Sequence, residues 1–280
     1  MLEIIKMGII TLTTDFGLDD FHVASLKGSI YTQLSEVTVV DISHQIMPFD
    51  LIQTAYILKN SYNDFPKGTI HIIGVDALPN TFIKPIAAEV NGHFFICNDN
   101  GILSLIAEEI NPDQIIEITI NKYDEIHFLT KDLFVPVACH LARGGKLDLV
   151  GRKITTFKKL TQLKPIEKNE DNSITGIIIY IDNYGNAVTN ISQKQFQQFG
   201  KNRPFTLFAR NTKFSKIFTK YSDLLGNEPD EKKFHGKALA IFNSSGYIQI
   251  SMYKSNLKTV GGASSLMGLD IGTQIRLVFE

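Results

Sequence analysis

Three apolar runs in the first third of the chain each reach an aspartate, and this pattern constrains the fold more than any other. "MGIITLTTDFG" closes on Asp15 and a glycine, "VTVVDISH" carries Asp41, and "GTIHIIGVD" stops at Asp76. Between them lie stretches of helical periodicity. Val23, Leu26, Ile30 and Leu34 recur at helical spacing in one, and "PFDLIQTAYILKNSYNDFP" (48–66) forms the other. Strands alternating with helices predict an α/β layer, its mostly parallel sheet flanked by helices, with strands 8–14, 37–42 and 69–75 side by side. Ligands of such sheets sit outside the carboxyl ends of the strands, where all three aspartates fall.

Further along, "PIAAEVNGHFFICNDNG" (85–101) reads as two strands turning at Asn91-Gly92, and 102–110 and 133–145 as helices, the latter stopped by Gly-Gly. After about residue 157 the character changes. Residues 158–173 are charged and aperiodic. Beyond them "ITGIIIYID", "RPFTLFA", "KALAIFN", "YIQISMY" and "QIRLVFE" are short strands separated by glycine, asparagine and serine. The expected organisation is an α/β domain over 1–158, a linker at 159–173 and a small all-β, barrel-like domain over 174–280.

Composition narrows the function. The 280 residues carry 28 Lys plus Arg against 29 Asp plus Glu, so no basic excess points to nucleic acid or an anionic membrane. Cys97 and Cys139 are the 2 cysteines, too few for a disulfide framework. Glu3 and Lys6 interrupt the opening apolar residues, so no secretory leader is expected, and no run approaches the roughly 20 apolar residues of a membrane span. The expectation is a soluble cytoplasmic protein with a small-molecule ligand.

"TLTTDFGLDDFHVASLKG" places Asp15, Asp19 and Asp20 within six positions. A helix cap explains Asp19 well and Asp15 poorly, because Asp15 precedes a glycine at a strand end. The spacing of a Ca²⁺ loop is absent, and acids repel phosphate. A polyol remains, since one carboxylate accepts hydrogen bonds from both hydroxyls of a ribose diol. No HExxH or CxxC pair supports a metal. His71 and His140 read as satisfied structural residues, and His22, near the acids, as the histidine to watch. "NYGNAVTNIS" (183–192) and "NSSGY" (243–247) are polar islands at strand ends, equally explained as plain turns.

"TTDFGLDD", "VVDISHQIMPFD", "FPKGTIHIIGVD", "NDNGIL", "NYGNAVTNI" and "NSSGY", in that order, resemble the S-adenosyl-L-methionine (SAM) hydroxide adenosyltransferases, or SAM hydrolases, relatives of the SAM-dependent fluorinase and chlorinase. The resemblance implies an α/β domain and a β-barrel, a homotrimer with SAM at subunit interfaces, and no cofactor beyond SAM itself. It implies that Asp15 holds the ribose hydroxyls, that Asp20 and Asp182 face the methionine end with His22 nearby, and that Phe49 packs beside the nucleoside. It further implies that Asn186 reads the adenine edge and that Ser244, next to Asn243, reaches the amino-acid carboxylate. Tyr253 and Met252 are placed to stack on the base.

The resemblance breaks at the nucleophile. The hydrolases hold water or hydroxide with an Asp-Arg-His set in stretches like VDPGVGTxRR and FHGRD. Here these read "VDALPNTFIKP" and "FLTKD". Asp76 is kept, Ile83 stands at the arginine beside Lys84, and Leu129, Thr130 and Lys131 stand at the His-Gly-Arg positions. Small residues are also missing from "ISMYKSN" (250–256), where the backbone would meet the base. One reading is a hydrolase giving adenosine and methionine, with Asp76 orienting water and Lys84 or Lys131 supplying the cation. The others are a non-catalytic SAM or adenosine binder and, third, a halogenase.

Overall fold

The computed structural model describes residues 8–79, 81–107, 111–120 and 126–280; Glu3 and Lys6 lie outside them. The chain divides into two compact units, Met1–Gln162 and Leu163–Glu280.

The first unit contains β1 (Ile9–Thr14), α1 (His22–Gln33), β2 (Thr38–Ser43), α2 (Leu51–Lys59), β3 (Ile70–Gly74), β4 (Pro85–Val90), β5 (His93–Asn98), α3 (Ile102–Ile106) and β6 (Gln114–Ile118). A π-helical turn, Thr130–Phe134, runs into α4 (Val135–Ala142), and β7 (Gly151–Lys153) follows. The sheet order is β2-β1-β3-β5-β4-β6-β7. Neighbours are parallel from β2 through β5 and antiparallel through β4, β6 and β7. The three expected strands therefore lie together and parallel. Because β1 sits between β2 and β3, the chain leaves it in opposite directions, and a topological switch point falls at its carboxyl end.

Period-two side-chain alternation divides the core between the two faces of this sheet. Ala87 of β4 and Ile96 of β5 join Leu26, Ile30, Phe134 and Ala138 from α1 and the α4 helix on one face. Ile86, Ala88, Phe95 and Cys97 join Ala55, Leu58 and Leu105 from α2 and α3 on the other. The strands are apolar on both faces because helices cover both. Asn91 and Gly92 turn the β4–β5 hairpin with φ of 51° and 73°, as the dipeptide predicts. Asp50 caps α2 through Gln53 N, so the helix starts after Pro48. Positions 108–110 of the expected helix 102–110 lie outside the described residues.

The second unit comprises β8 (Ile166–Lys168), β9 (Ser173–Ile181), β10 (Ala187–Ser192), α5 (Gln193–Gly200), β11 (Phe205–Ala209), β12 (Thr212–Phe214), β13 (Ile217–Phe218), β14 (Ala238–Phe242), β15 (Tyr247–Met252), α6 (Ala263–Met267) and β16 (Gln274–Phe279). Its strands run β12-β11-β16-β9-β10-β15-β14-β13 in a nearly closed barrel sheet, with β8 paired to β9. Six of the ten positions of the polar island 183–192 are β10, whose Val188, Thr189 and Ile191 are buried. β-branched side chains there outweigh the flanking asparagines. Among the described residues no helix is long and apolar enough to cross a membrane.

Candidate active site

In the first unit the site is built at the switch point. β1 ends at Thr14, and Asp15 follows, half-buried. Its Oδ2 accepts the backbone amides of Phe49, at 2.9 Å, and Asp76, at 3.3 Å. One carboxylate oxygen thus joins the ends of β1 and β3 to the loop before α2. Both donors sit in the left-handed region, Phe49 at φ 67° and Asp76 at φ 48°. Aspartate visits this region more readily than most side chains, but phenylalanine does not, and Phe49 costs about 1–3 kcal/mol of backbone strain. Such strain persists where the surroundings enforce it, here through the amide bond to Asp15. Among the described residues Asp15 Oδ1 takes no hydrogen bond and remains available to a ligand.

Asp76 is steadied by two asparagines of the "NDNG" stretch. Asn98 Nδ2 donates to the Asp76 carbonyl at 3.2 Å, and Asn100 Nδ2 lies 3.5 Å from both that carbonyl and Asp76 Oδ2. Thr130 packs under the same strand end. A Cβ added to Gly74 would meet its Oγ1 and Cγ2 at 3.0 Å, so glycine is what lets the two approach. The Thr130 hydroxyl is fully buried with no partner among the described residues. Leu129 is 1% exposed and belongs to the aliphatic cluster of α1 and α4. Ile83 and Lys84 are half-buried, the Lys84 carbonyl accepting Asp99 N at 2.7 Å. Lys131 Nζ lies 3.8 Å from Asp132 and 5.8 Å from the Phe128 ring centroid.

Asp20 is engaged by its neighbour. Its Oδ1 accepts His22 N at 3.0 Å and meets His22 Nδ1 at 2.7 Å, and these bonds hold the carboxyl below its ordinary range. Asp20, rather than Asp19, therefore takes the first helical amide of α1, because its side chain folds back over the turn. His22 stacks on Phe21 and meets Phe128 edge-on, with Phe16 closing the group. Phe49 and Phe21 are largely exposed.

The second unit supplies its own group. Asp182 Oδ1 accepts the amides of Tyr184 and Asn186, both at 2.9 Å, and its Oδ2 accepts Asn186 Nδ2 at 2.8 Å. Asp182 therefore spends its oxygens on shaping the turn and leaves Asn186 Oδ1 without a donor among the described residues. Close approach occurs where that turn meets α6: a Cβ on Gly262 would fall 2.7 Å from Gly185 Cα. Small residues cluster here, at Gly261, Gly262 and Ala263, after the stretch 250–256 that lacks them. Asn243 organises the β14–β15 turn, accepting Ser245 N and Tyr247 N on Oδ1, while Ser244 is exposed. Tyr253 is buried, its ring among Leu239, Ile241 and Phe234 and its hydroxyl on Glu231 Oε2 at 3.2 Å.

Two elements escaped the sequence reading. Asn98 and Asn100 flank Asp99 at a strand end, a spacing that aims both side chains back at the neighbouring strand. His44, three positions after Asp41, is 4% exposed and bonds Thr14. Among the described residues no three His, Cys, Asp or Glu gather as a metal site.

Residues 10–151 match the family model for the SAM hydroxide adenosyltransferase N-terminal domain, and residues 176–276 match that for its C-terminal domain. The chain belongs to the SAM hydroxide adenosyltransferase family. It is 25% identical over 279 residues to the (R)-S-adenosyl-L-methionine hydrolase of Methanocaldococcus jannaschii, covering 98% of this chain and 97% of that one. A fluorinase of Nocardia brasiliensis is 24% identical over 221 residues, 69% of this chain and 74% of its own. The crystal structure of an uncharacterized conserved protein from Thermotoga maritima superposes with a TM-score of 0.81 at 26% identity, over 96% of this chain and 99% of that chain. Within this SAM-binding family, hydrolases and fluorinases are both distant relatives of the chain.

Proposed function

We propose that this family member hydrolyses SAM to adenosine and L-methionine, water or hydroxide attacking the ribose C5′ opposite the sulfur. The O–C5′ bond forms as C5′–S breaks, and the electron pair stays on sulfur, which leaves as a neutral thioether. A sulfonium needs no protonation to leave, so the protein's work is to position and desolvate the nucleophile. The observation that carries the reading is the tie between Asp15 and Asp76 at the switch point. Asp15 Oδ1 is open to the ribose diol, and the carboxylate of Asp76 takes the proton of an attacking water. The unpartnered hydroxyl of Thr130 supports a small polar guest beside the β3 end. Lys84 or Lys131 supplies the cation that Ile83 does not.

The remaining assignments rest on family likeness. Phe49 covers the nucleoside, Asp20 with His22 meets the ammonium end, and Ser244 meets the amino-acid carboxylate beside Asn243. Asn186 Oδ1 accepts from the adenine amino group, held by the turn that Asp182 shapes, and Tyr253 supports the strand beside it. The same likeness expects a homotrimer, which analytical ultracentrifugation tests. Incubation with SAM and chromatography for adenosine tests the reaction.

A second reading, a non-catalytic SAM or adenosine binder, is favoured by Leu129, which fills with core aliphatic carbon the position where the hydrolases carry histidine. A halogenase is disfavoured: the Asp76 carboxylate about 4 Å from a halide would cost on the order of 1–4 kcal/mol between dielectrics of 80 and 20.

A further inference from the structure

Behind the Asp15 loop a polar chain runs from the buried Thr14 and His44 out to the partly exposed Asp41 and Lys27, and the reaction above does not use it. Thr14 Oγ1 and His44 Nδ1 are 2.7 Å apart, and both side chains are buried. His44 Nε2 lies 3.1 Å from Asp41 Oδ1, at ion-pair distance though off hydrogen-bond alignment, and Asp41 Oδ2 lies 2.5 Å from Lys27 Nζ of α1. Burial alone would push the Asp41 carboxyl up; Lys27 and His44 outweigh it and hold the group below its ordinary range. A carboxylate only accepts, which places the imidazole proton on Nε2 and makes Nδ1 the acceptor for the Thr14 hydroxyl. Hydroxyl, imidazole, carboxylate and ammonium thus succeed one another with consistent polarity.

The order is that of a nucleophilic triad, but Thr14 has no exposed surface and offers nothing to a substrate. Its use lies in where it is anchored. The His44 carbonyl accepts Gly17 N at 2.8 Å, while its ring holds Thr14. One histidine therefore grips both sides of the dipeptide Asp15-Phe16. The grip is made possible by a register shift in which Leu12 pairs Asp41 but Thr13 pairs Ser43, an extra residue on β2 that re-aims Ser43 and His44. Asp15 in turn carries the two left-handed residues Phe49 and Asp76 on Oδ2. A carboxylate held from in front and from behind presents Oδ1 in one direction only.

We infer that His44, oriented by Asp41 and acting through Thr14, is a positioning residue that sets the Asp15 carboxylate for recognition of the ribose 2′-hydroxyl, an inference that rests on the ribose role proposed for Asp15. It tunes selectivity for a ribonucleoside over its 2′-deoxy counterpart rather than bulk affinity. The test is calorimetric titration of adenosine and 2′-deoxyadenosine into the full chain as Thr14→Val, His44→Phe, Asp41→Ala and Asp15→Ala. Thr14→Val and His44→Phe should each weaken adenosine by about tenfold while 2′-deoxyadenosine changes by less than about twofold. Asp41→Ala, on a partly exposed side chain that folding tolerates, should move in the same direction by about two- to threefold. In an Asp15→Ala background Thr14→Val should add nothing, because both act on one contact. Equal weakening of the two nucleosides by Thr14→Val and His44→Phe, or no weakening, while Asp15→Ala itself abolishes the selectivity, overturns the positioning role alone. An Asp15→Ala variant that keeps the parent's preference for adenosine overturns the ribose reading, and the role of His44 with it.

Discussion

The backbone amide of Asp76 donates to the carboxylate of Asp15 across 3.3 Å, so the residue proposed to handle water hangs on the residue proposed to hold the sugar. Their sequence separation is 61, and the bond forms only because β1 and β3 are parallel neighbours whose ends coincide. Removing the Asp15 carboxylate therefore frees the Asp76 backbone, and substitutions at Asp15 should affect both binding and turnover, whereas a side-chain substitution at Asp76 keeps the amide bond.

Asp15→Ala should cost adenosine two charge-assisted hydrogen bonds of roughly 1.5–3 kcal/mol each, lowering affinity by an order of magnitude or more. The unsubstituted protein should already bind 2′-deoxyadenosine weakly. Calorimetry on both nucleosides checks this, and equal affinities would remove Asp15 from the ribose.

Phe49 offers a separation of stability from function. Glycine adopts its φ of 67° without strain, and the ring it would lose is mostly exposed. Relief of about 1–3 kcal/mol, less the roughly 0.5–1 kcal/mol entropic penalty of glycine, makes Phe49→Gly as stable as the parent or more so. Adenosine should nonetheless bind more weakly, because the nucleoside loses its cover. Chemical denaturation alongside ligand titration tests the pair; a destabilised variant would show that the ring, not the backbone, matters to the fold.

Acid should weaken the first unit through a buried histidine pair. His71 Nδ1 is 2.7 Å from Thr11 Oγ1, and its Nε2 is 3.2 Å from His93 Nδ1. Burial, reinforced by His93, pushes the His71 imidazole down to about 3; burial, with Lys67, also lowers that of His93. Below the ordinary value of about 6.5 the unfolded chain takes up a proton that the folded chain refuses. Stability is therefore complete above that value and falls with pH down to about 3, by up to about 1.4 kcal/mol per pH unit from His71 alone. Urea midpoints between about pH 7 and pH 4.5 should fall in the parent and fall less steeply in His71→Gln. A flat profile in the parent would contradict the buried neutral pair.

How much of this the sequence announced depends on the range over which each feature is encoded. The carboxylates at strand ends, the Asn91-Gly92 hairpin and the alternating strands are local patterns. The left-handed Phe49 carries no local signal, since phenylalanine does not favour that region, and the amide bond to Asp15 holds it there. The Thr14–His44 contact spans two strands and depends on a register shift invisible in composition. Gly185 and Gly262 look like ordinary turn glycines until the fold brings them together. Tyr253 reads as an aromatic beside a ligand-facing strand end, yet the structure seats its ring in a small apolar cluster.

Restoring the family set should trade stability for rate. Leu129→His puts a polar ring among Ile126, Leu133 and their neighbours, at about 2–4 kcal/mol of stability. Combined with Ile83→Arg it should raise adenosine formation from SAM above that of either single variant, since each group lacks its partner alone. Single-turnover rates set beside melting curves test this. A double variant that folds, binds SAM and gains no rate would favour the binder reading.

The most direct measurement is adenosine released from SAM, by chromatography, for the parent and for Asp76→Ala with SAM affinity measured in parallel. A hydrolase built on Asp76 gives slow but finite adenosine and equimolar methionine in the parent, and near-total loss of both in the variant while it still binds SAM. A parent that binds SAM and forms no adenosine, or a variant that forms it as fast as the parent, contradicts the account.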